Sequence, residues 1–146
     1  MTTRAKGTFE ITMYPEPPYD TRDGVTLGRI GIDKVFAGDL VATSRVEMLS
    51  ARNLPLGSGA YVAIERVEGT LSGRRGSFVL RHLGTMNRGA PELSIAVVPD
   101  TATGELAGLT GELRIDIVDG RHFYSFDYQC SSFGAATDSL SPRPPS

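Results

Sequence analysis

The chain has 146 residues, a formal net charge of −2, 17 glycines, 9 prolines and a single cysteine, Cys130. One cysteine excludes an intramolecular disulfide and leaves no cysteine cluster for zinc, and interspersed charge leaves no basic stripe to neutralise phosphates, so nucleic acid is not expected as a partner. No apolar run reaches signal-peptide or membrane-span length, so the expectation is a cytoplasmic protein with no membrane partner, long enough to bury a core unaided.

Glycine and proline abundance with no long segment of helical period predicts short strands and tight turns, an all-β protein. Residues 7–14, GTFEITMY, alternate as a first strand, and YPEPPYDTRDG over 14–24 reads as a proline-rich loop at a rim, because proline cannot pair in a central ladder. From Leu27 to Ser50 the alternation is too long for one strand, and FAGDL at 36–40 is where it folds into a hairpin. Ile30, Ile32, Phe36, Leu40, Val46 and Met48 then share one face with Lys34 among them, while Asp33, Asp39, Arg45 and Glu47 share the other.

Residues 51–60, ARNLPLGSGA, read as a loop, and 61–86 as a second hairpin. NRGAPE is a turn, LSIAVVP an almost wholly apolar strand, and DTATGELAG another turn. GELRIDIV and RHFYSFDY flank Asp119-Gly120, a dipeptide suited to a type I′ turn because both central residues take positive φ. That loop pairs Ile117 with His122, Ile115 with Tyr124, Leu113 with Phe126 and Gly111 with Tyr128, and sends Glu112, Arg114, Asp116 and Asp127 to solvent. The serine- and proline-rich segment 131–146 is expected to be a flexible tail beyond a single barrel domain over 1–130. About eight hairpin-linked strands with one greasy face predict a closed antiparallel eight-stranded barrel, with a β-sandwich as the alternative.

The hairpin over 61–86 sets ionisable groups on the face that should be greasy. With Gly73-Arg74 as its turn, Gly69 faces Phe78, Val67 faces Leu80 and Glu65 faces His82; with a four-residue loop at 73–76, His82 faces Val67 and Glu65 lies on the diagonal. Glu65 and His82 keep the same face in either register, with Lys34, Tyr61, Phe78, Tyr124 and Tyr128 as companions. Buried charges must pair, neutralise or line a wet or ligand-filled pocket. One reading is a hydrogen-bonded pair that holds strand register. The other is a pocket in which Glu65 is a base, His82 an acid or oriented donor, and Lys34 or a tyrosine an electrostatic stabiliser. Both rest on this face being the inner one. The opposite face carries Val62, Ile64, Val79 and Leu83, an apolar set that needs cover.

The sequence contains no P-loop, GxSxG elbow or HExxH, and two histidines and one cysteine show no metal-ligand spacing, so neither metal nor cofactor is called for. GRIGIDKVFAGDL at 28–40, the run GSGAYVAIERVEGTLSGRRGSFVLRHLGTM at 57–86, PELSIAVVPDTATGELAGLTGELRI at 91–115 and DGRHFYSFDY at 119–128 together resemble a bacterial family of unknown function with an allene oxide cyclase-like barrel. The resemblance covers about residues 5–130 and implies a small closed barrel that assembles into homo-oligomers. Allene oxide cyclases, and dirigent proteins with a similar barrel, hold apolar substrates in the lumen, which by analogy of fold implies a small, mostly apolar ligand and leaves isomerase or cyclase chemistry open. The competing expectation is a non-enzymatic oligomeric module whose lumen its own side chains fill.

Overall fold

Alternation at the strand period runs through nearly the whole chain, and it produces nine strands in the computed structural model, which describes residues 2–130; the expected tail at 131–146 lies outside the described residues. The strands are β1 (Thr3–Pro15), β2 (Asp20–Arg22), β3 (Val25–Gly38), β4 (Leu40–Asn53), β5 (Ser58–Leu71), β6 (Arg74–Asn87), β7 (Ala90–Val97), β8 (Leu109–Val118) and β9 (Arg121–Cys130). Each pairs antiparallel with its neighbours in the order β1-β9-β8-β7-β6-β5-β4-β3-β2, and β1 also pairs with β3, with Phe9 opposite Phe36. One sheet therefore closes on itself, which is a barrel and not a sandwich: β1 and β3 to β9 form its eight staves, and three-residue β2 hangs from the end of β3.

The turns follow local chemistry, with instructive departures. The β8–β9 hairpin turns at Asp119 and Gly120, both at positive φ, and its four expected pairs all form. The hairpin of β5 and β6 turns one residue earlier than expected, at Ser72-Gly73 with φ of 49° and 85°. A turn at Gly73-Arg74 would have forced arginine into the left-handed region, whereas Ser72-Gly73 puts glycine in the second position. Glu65 is thereby opposite Leu80 and His82 opposite Ala63, so the two are diagonal neighbours; a shift of two in pairing keeps both on the same face. The expected loop at 51–60 is mostly ladder, with Ala51 opposite Ala60 and Asn53 opposite Ser58, leaving residues 54–57 to turn the chain.

One end of the barrel is closed. Leu40, Leu71, Phe78, Leu109 and Phe126 are buried there, joined by Leu106 from a short 3-10 turn over Gly104–Leu106. The β7–β8 connection, read from sequence as a turn, thus supplies a plug. The same segment lies along β6, where the Val79 amide donates to Thr101 Oγ1 at 3.1 Å and the Val79 carbonyl accepts from the Val98 amide at 2.8 Å. Val79 is accordingly 9% exposed: at this position the cover that the outward apolar set needs comes from its own chain. Among the described residues no helix is long and apolar enough to cross a membrane.

A tyrosine fastens the closed end. The Tyr124 hydroxyl accepts the Leu40 amide proton at 2.8 Å and donates to the Ala37 carbonyl at 2.9 Å, holding the β3–β4 turn against β9. Tyr124→Phe keeps the ring against Phe36 but leaves a buried amide without an acceptor. We expect a loss of about 1–3 kcal/mol in urea-unfolding free energy, with m unchanged.

Candidate functional site

Four consecutive staves each send one polar side chain to the same point in the interior. Lys34 on β3 lies opposite Ser44 on β4, Val46 lies opposite Glu65 on β5, and Glu65 lies opposite Leu80, two residues before His82 on β6. Even numbering in β3, β4 and β6 and odd numbering in β5 put all four on the inner face. Glu65 has no exposed surface. Its Oε1 accepts from Lys34 Nζ at 3.2 Å and lies 2.7 Å from His82 Nε2, while Oε2 accepts from Ser44 Oγ at 2.6 Å. The ammonium of Lys34 also sits over the Phe9 ring, 4.8 Å from its centroid, so an aromatic face replaces part of its lost hydration.

Burial pushes the Glu65 carboxyl up, but hydrogen bonds from His82 and Ser44 and the charge of Lys34 outweigh it and hold the group below the usual carboxylate range. The carboxylate only accepts, so His82 Nε2 carries the proton that lies between them, whichever form the ring takes. Glu65 is thus a poor base and a good anchor: it orients His82 through Nε2 and leaves Nδ1 as the ring nitrogen the carboxylate does not engage.

Beyond this group the barrel opens. At the end formed by the β4–β5 and β6–β7 turns, an open concavity of about 840 Å³ is bordered by Ile30, Met48, Tyr61, Met86, Pro91 and Leu93 among others, with Pro15 and Pro18 of the proline-rich segment at its rim. Glu65, Lys34 and His82 do not border it. Tyr61 stands between, half buried, its ring centroid 6.4 Å from that of His82. Burial and then the Glu65 charge raise its phenol pKa, so it remains a neutral donor. Among the described residues its hydroxyl has no hydrogen-bond partner. The ring lies against Gly84, where a Cβ would clash with a ring carbon, so glycine at that position is what lets Tyr61 occupy the floor.

The residues expected to line one pocket divide between the two ends. Lys34, Glu65 and His82 come together with Tyr61 above them. Phe78 instead stacks on Phe126 in the closed core at 5.7 Å, Tyr124 is fastened to the β3–β4 turn, and the Tyr128 hydroxyl donates to Ser72 Oγ at 3.2 Å. Sequence reasoning missed Ser44, whose only signal was its inward position between Ala42 and Val46, and Phe9 under the Lys34 ammonium. Among the described residues no group of three or more His, Cys, Asp or Glu is placed to hold a metal ion.

Comparison with known proteins adds a family and a neighbouring structure. The family described as "Protein of unknown function (DUF3224)" matches residues 5–128. A crystal structure of a protein of unknown function from that family, from Shewanella oneidensis MR-1, is similar at 46% identity with a TM-score of 0.84, covering 89% of this chain and 98% of that one. No curated protein matches.

The depressed Glu65 pKa has a definite consequence for stability. Its contribution is in place above the ordinary carboxyl value of 4.5 and is lost as pH falls through the lower folded-state value. Urea-unfolding free energy should therefore decline on acidification more steeply in the wild type than in Glu65→Gln; equal slopes would show that Glu65 is not held as a carboxylate. Lys34→Met, which leaves the buried carboxylate short of its ammonium, should cost about 3–5 kcal/mol at neutral pH in the same assay.

Proposed function

Because the chain belongs to the DUF3224 family, whose description names no activity, we propose its function from geometry: the barrel binds a small, mostly apolar molecule in the open mouth of its lumen. The observation that carries this reading is the concavity of about 840 Å³ floored by Tyr61, a volume within the usual range of small-molecule sites. Ile30, Met48, Pro91 and Leu93 supply apolar walls, and the unpartnered Tyr61 hydroxyl supplies an orienting hydrogen bond. Lys34 and His82 act on the ligand through the field beneath Tyr61 rather than by contact. Should a reaction follow binding, the ring-closing or isomerising chemistry implied by the allene oxide cyclase resemblance would use the Tyr61 hydroxyl, the polar group at the cavity floor, as proton donor, with Lys34, Glu65 and His82 setting the field beneath it.

A second reading has its own observation. Glu65 finds all its partners within the chain, and no fully buried side-chain N or O atom among the described residues lacks a hydrogen bond. That closure is what a register-holding polar core in a non-enzymatic module requires.

Titration with anilinonaphthalene sulfonate, followed by fluorescence and calorimetry, separates the two. The binding reading expects one saturable site per chain, weakened at least about tenfold by Met48→Arg at the mouth and left unchanged by Ile64→Asp on the outer face. Saturable binding indifferent to Met48→Arg, or none at all, would remove the mouth as the site.

A further inference from the structure

The outer face of β4, β5 and β6 carries a pattern that the lumen does not use. Leu49, Val62 and Leu83 form one row across the three strands, and Glu47, Ile64 and Arg81 form the next. All four apolar members are about half exposed, and with Arg29, Glu47, Arg81 and Ser94 they border an outer concavity of about 730 Å³. Single exposed apolar residues are ordinary; a contiguous group of four on adjacent strands marks an interaction surface.

The charges beside it are unbalanced in a specific way. Toward β3, three carboxylates share two guanidinium groups: Arg29 lies 3.7 Å from Glu16 and 3.8 Å from Glu47, and Arg45 lies 3.4 Å from Asp33 and 3.1 Å from Glu47. Arg66, opposite Arg45 on β5, brings the guanidinium groups on that side to three. Across Ile64, Arg81 donates to Ser94 Oγ at 3.1 Å and has no carboxylate within ion-pair distance among the described residues. A carboxylate, Glu47, and an arginine without a carboxylate partner, Arg81, thus flank one apolar centre on opposite sides.

We propose that this face is the interface between two copies of the chain, related by a twofold axis that runs along β5 through Ile64. The rows themselves argue for a second copy over a different partner. Rotation about that axis exchanges the β4 and β6 sides, so Leu49-Val62-Leu83 meets itself with leucine on leucine and valine on valine. Glu47-Ile64-Arg81 meets itself with each Glu47 facing Arg81 of the second copy. An axis across the strands would instead set Glu47 on Glu47 and Arg81 on Arg81. These two rows are self-complementary under one twofold operation, as an isologous interface requires, and the contact is centred on them, with Arg66 of the next row at its edge. The inference is independent of what the lumen holds.

Sedimentation velocity over a range of protein concentrations, checked by native mass spectrometry, tests it by charge exchange. Wild type should be dimeric. Arg81→Glu and Glu47→Arg should each raise the dimer dissociation constant at least about tenfold, and the double exchange should return it to within about threefold of wild type, because the pair is restored in reverse across the axis. Ile64→Lys should give a monomer, with far-ultraviolet circular dichroism showing that every variant keeps the barrel. A monomeric wild type, a double exchange no tighter than the single variants, or an assembly indifferent to Ile64→Lys would each overturn the proposal.

Discussion

A carboxylate with no access to water governs this interior. Removing an isolated charge from solvent costs several kcal/mol, so Glu65 is tolerable only with donors at hydrogen-bonding distance. Lys34, Ser44 and His82 arrive from β3, β4 and β6, one from each. Apolar neighbours accept many packings, whereas these donors accept one. Slipping any of the three strands by one residue turns its donor to the outside, and slipping by two moves it along the strand out of reach. The group therefore holds the register of four adjacent staves, whatever else it does.

Its position along the barrel makes it more than a fastening. Below it the lumen is solid, sealed by Leu106, Phe78 and Phe126 and tied off by Tyr124. Above it the lumen is open, and the boundary is one aromatic ring laid against Gly84. The polar cluster thus lies at the depth where core gives way to cavity, separated from the cavity by Tyr61. The hydrogen bonds and the Lys34 charge that make Glu65 a weak base also make it a strong positioning group for His82. A rigid scaffold and an oriented imidazole are two consequences of the same hydrogen bonds.

The two faces of the sheet have different work. Inward residues of β4, β5 and β6 supply the polar cluster, and the intervening residues of the same strands supply Leu49, Val62, Ile64 and Leu83 on the outside. Strand geometry makes this division available at no cost in chain length, because successive side chains point to opposite faces. A short β7–β8 connection then covers one outward valine from within the chain and leaves the other apolar residues open.

What the sequence by itself determined was whatever depends on neighbours along the chain. Alternation marked the strands, Asp119-Gly120 set the last hairpin to its correct pairs, and parity put Glu65, His82 and Lys34 inside. Those conclusions survived an error in the Ser72-Gly73 turn because a shift of two in pairing preserves the face. Tertiary structure decided the rest: that Ser44 completes the carboxylate's shell, that Leu106 plugs one end, that Val79 is covered, and that Tyr124 serves a turn and not a pocket. Each of these is a distance between segments remote in sequence, set only when β1 meets β3 and the sheet closes. Period and turn chemistry are local properties of a strand, while which donor reaches a buried charge, and which end of a barrel stays open, are properties of the closed surface.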